Sequence, residues 1–217
     1  MDIINKLLPL STAIAALIVG LAVYKHLIKF YRLLFFQVLI YLLIDCLSIP
    51  FMPNNSWVLN IFVPMETALL FAAAQIYFDS TKSKYLLLLI YSLFVVIYLL
   101  DLIFITGINK FVYHAAIAQG ICISVIYIII LYIQFNRRFS LPLTFACLGL
   151  ILYFACSIPY LSILFYFQKI DPILNRKLFQ YIIVLLAHVR YSFIALAFFL
   201  VGKSTYMTYV NKNPKTI

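Results

Sequence analysis

Tyr85–Gly107 reads YLLLLIYSLFVVIYLLDLIFITG, a stretch whose one charge, Asp101, lies between the flanking Lys82 and Lys84 and the following Lys110. Roughly 20 apolar residues in a helix cross the ~30 Å hydrocarbon core of a bilayer, so the stretch predicts a transmembrane helix. Six other runs have the same character: Leu8–Tyr24, Leu33–Pro53, Val58–Phe78, Val112–Phe135, Leu141–Phe167 and Leu178–Val201. Charge, Pro, Asn or Gly interrupts the chain between them, at Lys25 to Arg32, Pro53 to Asn55, Asp79 to Lys84, Gly107 to Lys110, Asn136 to Ser140 and Gln168 to Lys177. The expected fold is therefore all-α: a polytopic membrane protein with a seven-transmembrane-helix bundle over residues 1–203 and a short cytoplasmic tail over 204–217. The first run has no small-residue cleavage site and further spans follow it, which predicts a membrane helix rather than a signal peptide.

Composition points the same way. Of 217 residues, 66% are hydrophobic and 10% charged, against about 25% charged in soluble domains. Six acids and sixteen bases cannot cover an interior of that size, so the expected partner of the outer surface is the lipid bilayer. The net charge of +10 is a topology signal in such a chain rather than a sign of nucleic-acid binding. Cys46, Cys122, Cys147 and Cys156 lie inside apolar runs without ligand spacing and read as packing residues.

Short cytoplasmic loops collect Lys and Arg. One set of loops holds Lys25, Lys29, Arg32, Lys82, Lys84, Arg137, Arg138, Lys203, Lys212 and Lys215, while the other holds Lys6, Lys110, Lys169, Arg176 and Lys177. Ten against five predicts an N-terminus outside and a C-terminus inside the cytoplasmic (inner) membrane. Ser48-Ile49-Pro50-Phe51 is echoed by Ser157-Ile158-Pro159-Tyr160, the pattern a 3+1+3 internal duplication would leave. The alternative is that both are ordinary prolines near membrane-helix ends.

Ionisable groups within the spans are few: Asp45, Glu66, Asp101, His114, His188 and Arg190. At 1.5 Å per residue, Asp45 lies about 12 Å, Glu66 about 13 Å and Arg190 about 18 Å from the outer ends of their spans, depths at which they are expected to converge. Arg190 stays protonated, so burial demands an acid or hydration. Glu66 is the preferred partner, with its longer side chain, and Asp45 the second. Two readings of this cluster stand: an outward-facing polar site for a small ligand or proton, or an ion pair that fixes helix packing. Pro64 removes the amide that would bond the carbonyl of Asn60, leaving an acceptor that side chains or water can take up at a pocket edge. His188 and Arg190 are two residues apart and point about 200° away from each other on a helix.

HExxH, HxxxH, GxSxG and Gly-rich phosphate loops are absent from the sequence, which argues against an enzyme, and no catalytic residue, metal ligand or cofactor is assigned. Retinal is disfavoured because the last span has no Lys at mid-depth.

At Asn60 through Glu66, and again at Ala187-His188-Val189-Arg190-Tyr191-Ser192-Phe193, the chain resembles uncharacterised small seven-helix integral membrane proteins of Gram-negative bacteria. In that group an Asn and a Glu a few residues apart follow the second span, and a basic-aromatic patch marks the last. By hydropathy the resemblance covers most of the chain, and it is specific over these two stretches. It implies a sensory role beside a membrane signalling protein of the histidine-kinase type. The leading expectation is thus a small sensor or accessory signalling subunit, since the tail after Val201 is too short for an output domain. A small-solute carrier working past Asn60, Glu66 and Arg190 is the second, and an intramembrane lipid-modifying enzyme using Asp45, Asp101 and His114 the third.

Overall fold

In a computed structural model, which describes residues 2–48, 56–107, 110–137 and 139–212, seven α-helices account for nearly all of the chain. They are α1 Asp2–Ala22, α2 Lys29–Ser48, α3 Ser56–Ala74, α4 Thr81–Leu100, α5 Tyr113–Arg137, α6 Leu141–Ile170 and α7 Pro172–Lys212. No strand occurs among the described residues. Six of the helices, all but α1, are long and apolar enough to cross a membrane; the shorter apolar part of α1 is Leu10–Ala22.

Local chemistry sets the ends. Ser80 caps α4 by accepting a hydrogen bond from the amide of Ser83 at 3.0 Å. Asp171 does the same for α7 through the amide of Leu174, also at 3.0 Å, with Pro172 at the first helical position, where its missing N–H is no loss. This cap lets α7 begin six residues before the expected Leu178, and the helix continues past Val201 to Lys212. Beyond Leu100, α4 widens into a π-helical segment, Asp101–Thr106, closed by Gly107 at φ 75°. That left-handed conformation favours glycine.

Packing makes a ring in the order α1, α2, α3, α5, α6, α7 and back to α1, and α4 lies outside it against α3 and α5. The apolar core runs through the ring and includes Phe30, Leu34, Leu70, Tyr127, Cys147, Ile194 and Phe198. Helices α6 and α7 approach closely at Gly149, where an added Cβ would lie 2.7 Å from Phe193 Cβ and 3.1 Å from the Arg190 carbonyl oxygen. The outlying α4 presents Leu86, Leu89, Leu93, Val96, Leu100 and Phe104 to its surroundings, a surface only lipid can cover without cost.

The Ile49–Phe51 part of the proposed echo, and Arg138 and Lys215 from the charge comparison, lie outside the described residues. So do the side chains of Lys6, Arg137, Lys169, Arg176 and Lys212.

Candidate functional site: a buried ion pair and two polar satellites

The Glu66 carboxylate projects from α3 into the ring, and Arg190 reaches it from α7, with Arg190 Nη2 at 2.7 Å from Glu66 Oε1. Their side chains are 4% and 1% exposed. Neither opens outward, so the pair is enclosed where the sequence reading expected an accessible site. Two amides complete it. Gln37 on α2 donates to Glu66 Oε1 at 3.1 Å and Gln119 on α5 donates to Glu66 Oε2 at 3.0 Å. Gln37 Nε2 also approaches the Tyr191 hydroxyl at 3.4 Å. The Arg190 guanidinium lies near three rings, at 4.7 Å from the centroid of Tyr153, 5.1 Å from Phe154 and 5.2 Å from Tyr191, where the ring quadrupoles favour a cation. One carboxylate thus gathers groups from α2, α3, α5 and α7, while α6 supplies aromatic walls. Arg190 Nε and the Gln37 carbonyl oxygen have no hydrogen-bond partner, and Nη2 meets Glu66 by proximity without an aligned hydrogen bond. The contact is therefore mainly coulombic.

Pro64 leaves the Asn60 carbonyl without its helical donor, and the Tyr98 hydroxyl of α4 donates to that oxygen at 3.1 Å. This is how α4, outside the ring, is tied to α3. The Asn60 side chain is engaged with backbone: its Nδ2 donates to the Lys110 carbonyl at 2.8 Å and its Oδ1 accepts from the Val112 amide at 3.2 Å. Asn60 thereby pins the approach to α5.

Asp101 belongs to a second group. Buried at 1% exposure, it accepts from the Ala115 amide at 2.9 Å, from the Thr106 hydroxyl, and faces His114 Nδ1 at 3.2 Å. A carboxylate from α4 thus satisfies one of the orphan amides at the start of α5. His114 is 44% exposed. His188 forms a third contact, its Nδ1 lying 2.7 Å from Thr12 Oγ1 on α1, on the far side of α7 from Arg190. Asp45 is half-buried on α2, eight residues beyond Gln37, or about 12 Å along the helix axis.

The expected convergence of three acids, two histidines and one Arg therefore separates into groups, and the third-ranked combination of Asp45, Asp101 and His114 reduces to the Asp101–His114 pair. The physical reason is that depth along a span fixes height but not azimuth, and a helix turns 100° per residue. Among the described residues no group of three or more His, Cys, Asp or Glu is placed to hold a metal. The amides Gln37 and Gln119 and the rings of Tyr153 and Tyr191 escaped the sequence reading, which weighed the ionisable groups and Asn60. Each amide is an isolated polar residue in an otherwise apolar stretch of its span, and that was the available signal.

At the basic end of the bundle a cavity of about 790 Å³ opens, walled by Tyr31, Tyr77, Asp79, Gln134 and Ser140 among others. It lies eleven residues from Glu66 along α3 at Tyr77, and eleven from Arg190 along α7 at Val201, roughly 16 Å at 1.5 Å per residue.

The fold and this polar core define a multi-pass helical membrane protein. No family model, curated protein or solved structure matches the chain.

Proposed function

We propose that the protein is a small sensor or accessory signalling subunit of the cytoplasmic membrane, with its basic end in the cytoplasm. The observation that carries this reading is the line of polar contacts from one end of the bundle into its centre. It starts at the half-exposed His114, passes to buried Asp101 at the start of α5, and resumes five residues along α5 at Gln119, which holds Glu66 and through it Arg190. Asn60 and Glu66, six residues apart on α3, parallel that route. In this reading the buried pair, which joins several helices, switches between paired and broken, and a two-state element of that kind is what a coupling between sites requires. The resemblance to seven-helix proteins associated with histidine kinases agrees with a partner that carries the output, and residues 204–217 belong to the cytoplasmic side in this reading.

Hydrogen exchange on the full chain in nanodiscs tests the coupling. His114→Ala is expected to change exchange around residues 76–84 and 133–144, at the other end, and the change should vanish in the Glu66→Gln/Arg190→Met background. An effect of His114→Ala confined to the neighbouring ends of α4 and α5 would overturn the proposal.

A second reading, a small-solute carrier with a three-plus-one-plus-three repeat, is favoured by the one-sided cavity. Solute uptake into proteoliposomes that is lost in Glu66→Gln would select it.

A further inference from the structure

A smaller crevice, of about 160 Å³, lies between the end of α3 and the start of α4, lined by Gln75, Thr81, Lys84, Tyr85 and Leu88. Gln75 follows α3 directly. The other four are spaced i, i+3, i+4 and i+7 along α4, which places them on one helix face. Because α4 stands outside the ring, that face is open to whatever surrounds the bundle: Tyr85 is 68% and Leu88 52% exposed. The apolar span begins at Thr81, so the crevice sits where the headgroups of a bilayer meet its hydrocarbon.

Charge is unbalanced there. Lys82 and Lys84 stand at the start of α4 with no acid in its first turn, an arrangement the helix dipole disfavours. No acid pairs with Lys84 among the described residues, and Asp79, the nearest acid in sequence, walls the larger cavity instead. The crevice is too small to enclose a soluble ligand, for which ~300 Å³ or more is usual. A lipid asks only that its headgroup be held, since its chains stay in the bilayer. We propose that the crevice is a binding site for an anionic phospholipid, with its phosphate at Lys84 and one acyl chain along the Leu88 face of α4. The phosphate diester matches the Lys84 ammonium by charge and can accept from the Thr81 hydroxyl and the Gln75 amide. Tyr85, Leu88 and, one turn further, the exposed Ser92 line the path of the chain. A zwitterionic headgroup brings its own cation to the lysine and loses that advantage. Basic pockets between spans hold anionic headgroups for the same reason, and a lipid here joins the outlying α4 to α3.

Site-specific quenching by brominated lipids tests the site in the full chain. The single tryptophan, Trp57, is replaced by Phe, and a reporter is introduced as Ser92→Trp, on the crevice face. A control reporter, Leu93→Trp, lies at nearly the same depth but about 100° round the helix. Bilayers of phosphatidylcholine and phosphatidylglycerol carry the bromines on one lipid or the other. At Ser92→Trp the preference for phosphatidylglycerol is expected to be at least threefold above that at Leu93→Trp. Lys84→Gln should remove the difference and Lys84→Arg should keep it, and since Lys84 is exposed the melting temperature should change little in either. Equal quenching by the two lipids at Ser92→Trp, or a preference that survives Lys84→Gln, would overturn the proposal. So would the same preference at both reporters, which would mark a diffuse attraction to the basic end. Loss of the preference on adding inorganic phosphate, but not sodium chloride of equal ionic strength, would make the occupant a free anion and equally overturn it.

Discussion

Arg190 at the middle of a span is unfavourable by about 2.5–3.5 kcal/mol on insertion scales, and Glu66 offsets that because the pair is close and the carboxylate is held by Gln37 and Gln119. Removing one charge strands the other, which in buried pairs is unfavourable by roughly 3–5 kcal/mol. Glu66→Gln and Arg190→Met are therefore each expected to lower the melting temperature in detergent markedly. The double variant should recover part of the loss, because neither charge is then uncompensated. Melting curves for the three variants give the coupling, and a value near zero would show that the contact contributes nothing to the folded state. A finer test concerns Pro64. Tyr98→Phe removes the donor to the Asn60 carbonyl, a loss of about 1 kcal/mol. In a Pro64→Ala background the amide of residue 64 becomes available to that carbonyl, so the same substitution should have less effect. Equal effects in both backgrounds would refute the link between the proline and the hydroxyl.

Between helices, the closest approach is decided by what is missing. Gly149 lets α7 lie against α6 where an added Cβ would fall 2.7 Å from Phe193 Cβ. In an isolated helix Gly→Ala is favourable by about 1 kcal/mol. Here Gly149→Ala is expected to lower the melting temperature instead, because the added carbon separates the helix that carries Arg190 from the one that carries Tyr153. A rise in melting temperature would mean that the two helices can shift apart freely. Asp101 plays the corresponding part between α4 and α5. Asp101→Leu removes both acceptor oxygens, so the Ala115 amide loses its side-chain partner and amide exchange in the first turn of α5 is expected to increase. Unchanged protection at Ala115 would remove Asp101 as a cap.

For the molecule as a whole, orientation follows from charge and is open to direct labelling. Single cysteines introduced at Asn54 and at Arg137 are expected to react with impermeant reagents from opposite sides, the first from outside, and the reverse pattern would invert the bundle. The seven helices and their order were legible in the sequence because lipid imposes one rule on a spanning segment, apolar over about 20 residues with backbone bonds closed inside the helix; six helices meet that rule, and α1, apolar only over Leu10–Ala22, falls short of the span expected at Leu8–Tyr24. A local signal also marked Pro64 as a donor missing from α3. The need of Arg190 for an acid was legible too, since an unpaired cation in hydrocarbon is too costly to leave. What the sequence did not contain was azimuth. Whether Asp45 or Glu66 faces α7, whether Asp101 points at α5, and whether α4 joins the ring depend on how seven cylinders rotate against one another. Side-chain volumes from several helices decide that together. The cavity at the basic end is likewise a property of helix ends from distant parts of the chain, Tyr31, Tyr77, Gln134 and Ser204 among them. Hydropathy, a property of each segment alone, determined that the chain is built of apolar spans; packing, a property of pairs of segments, decided where its charges meet.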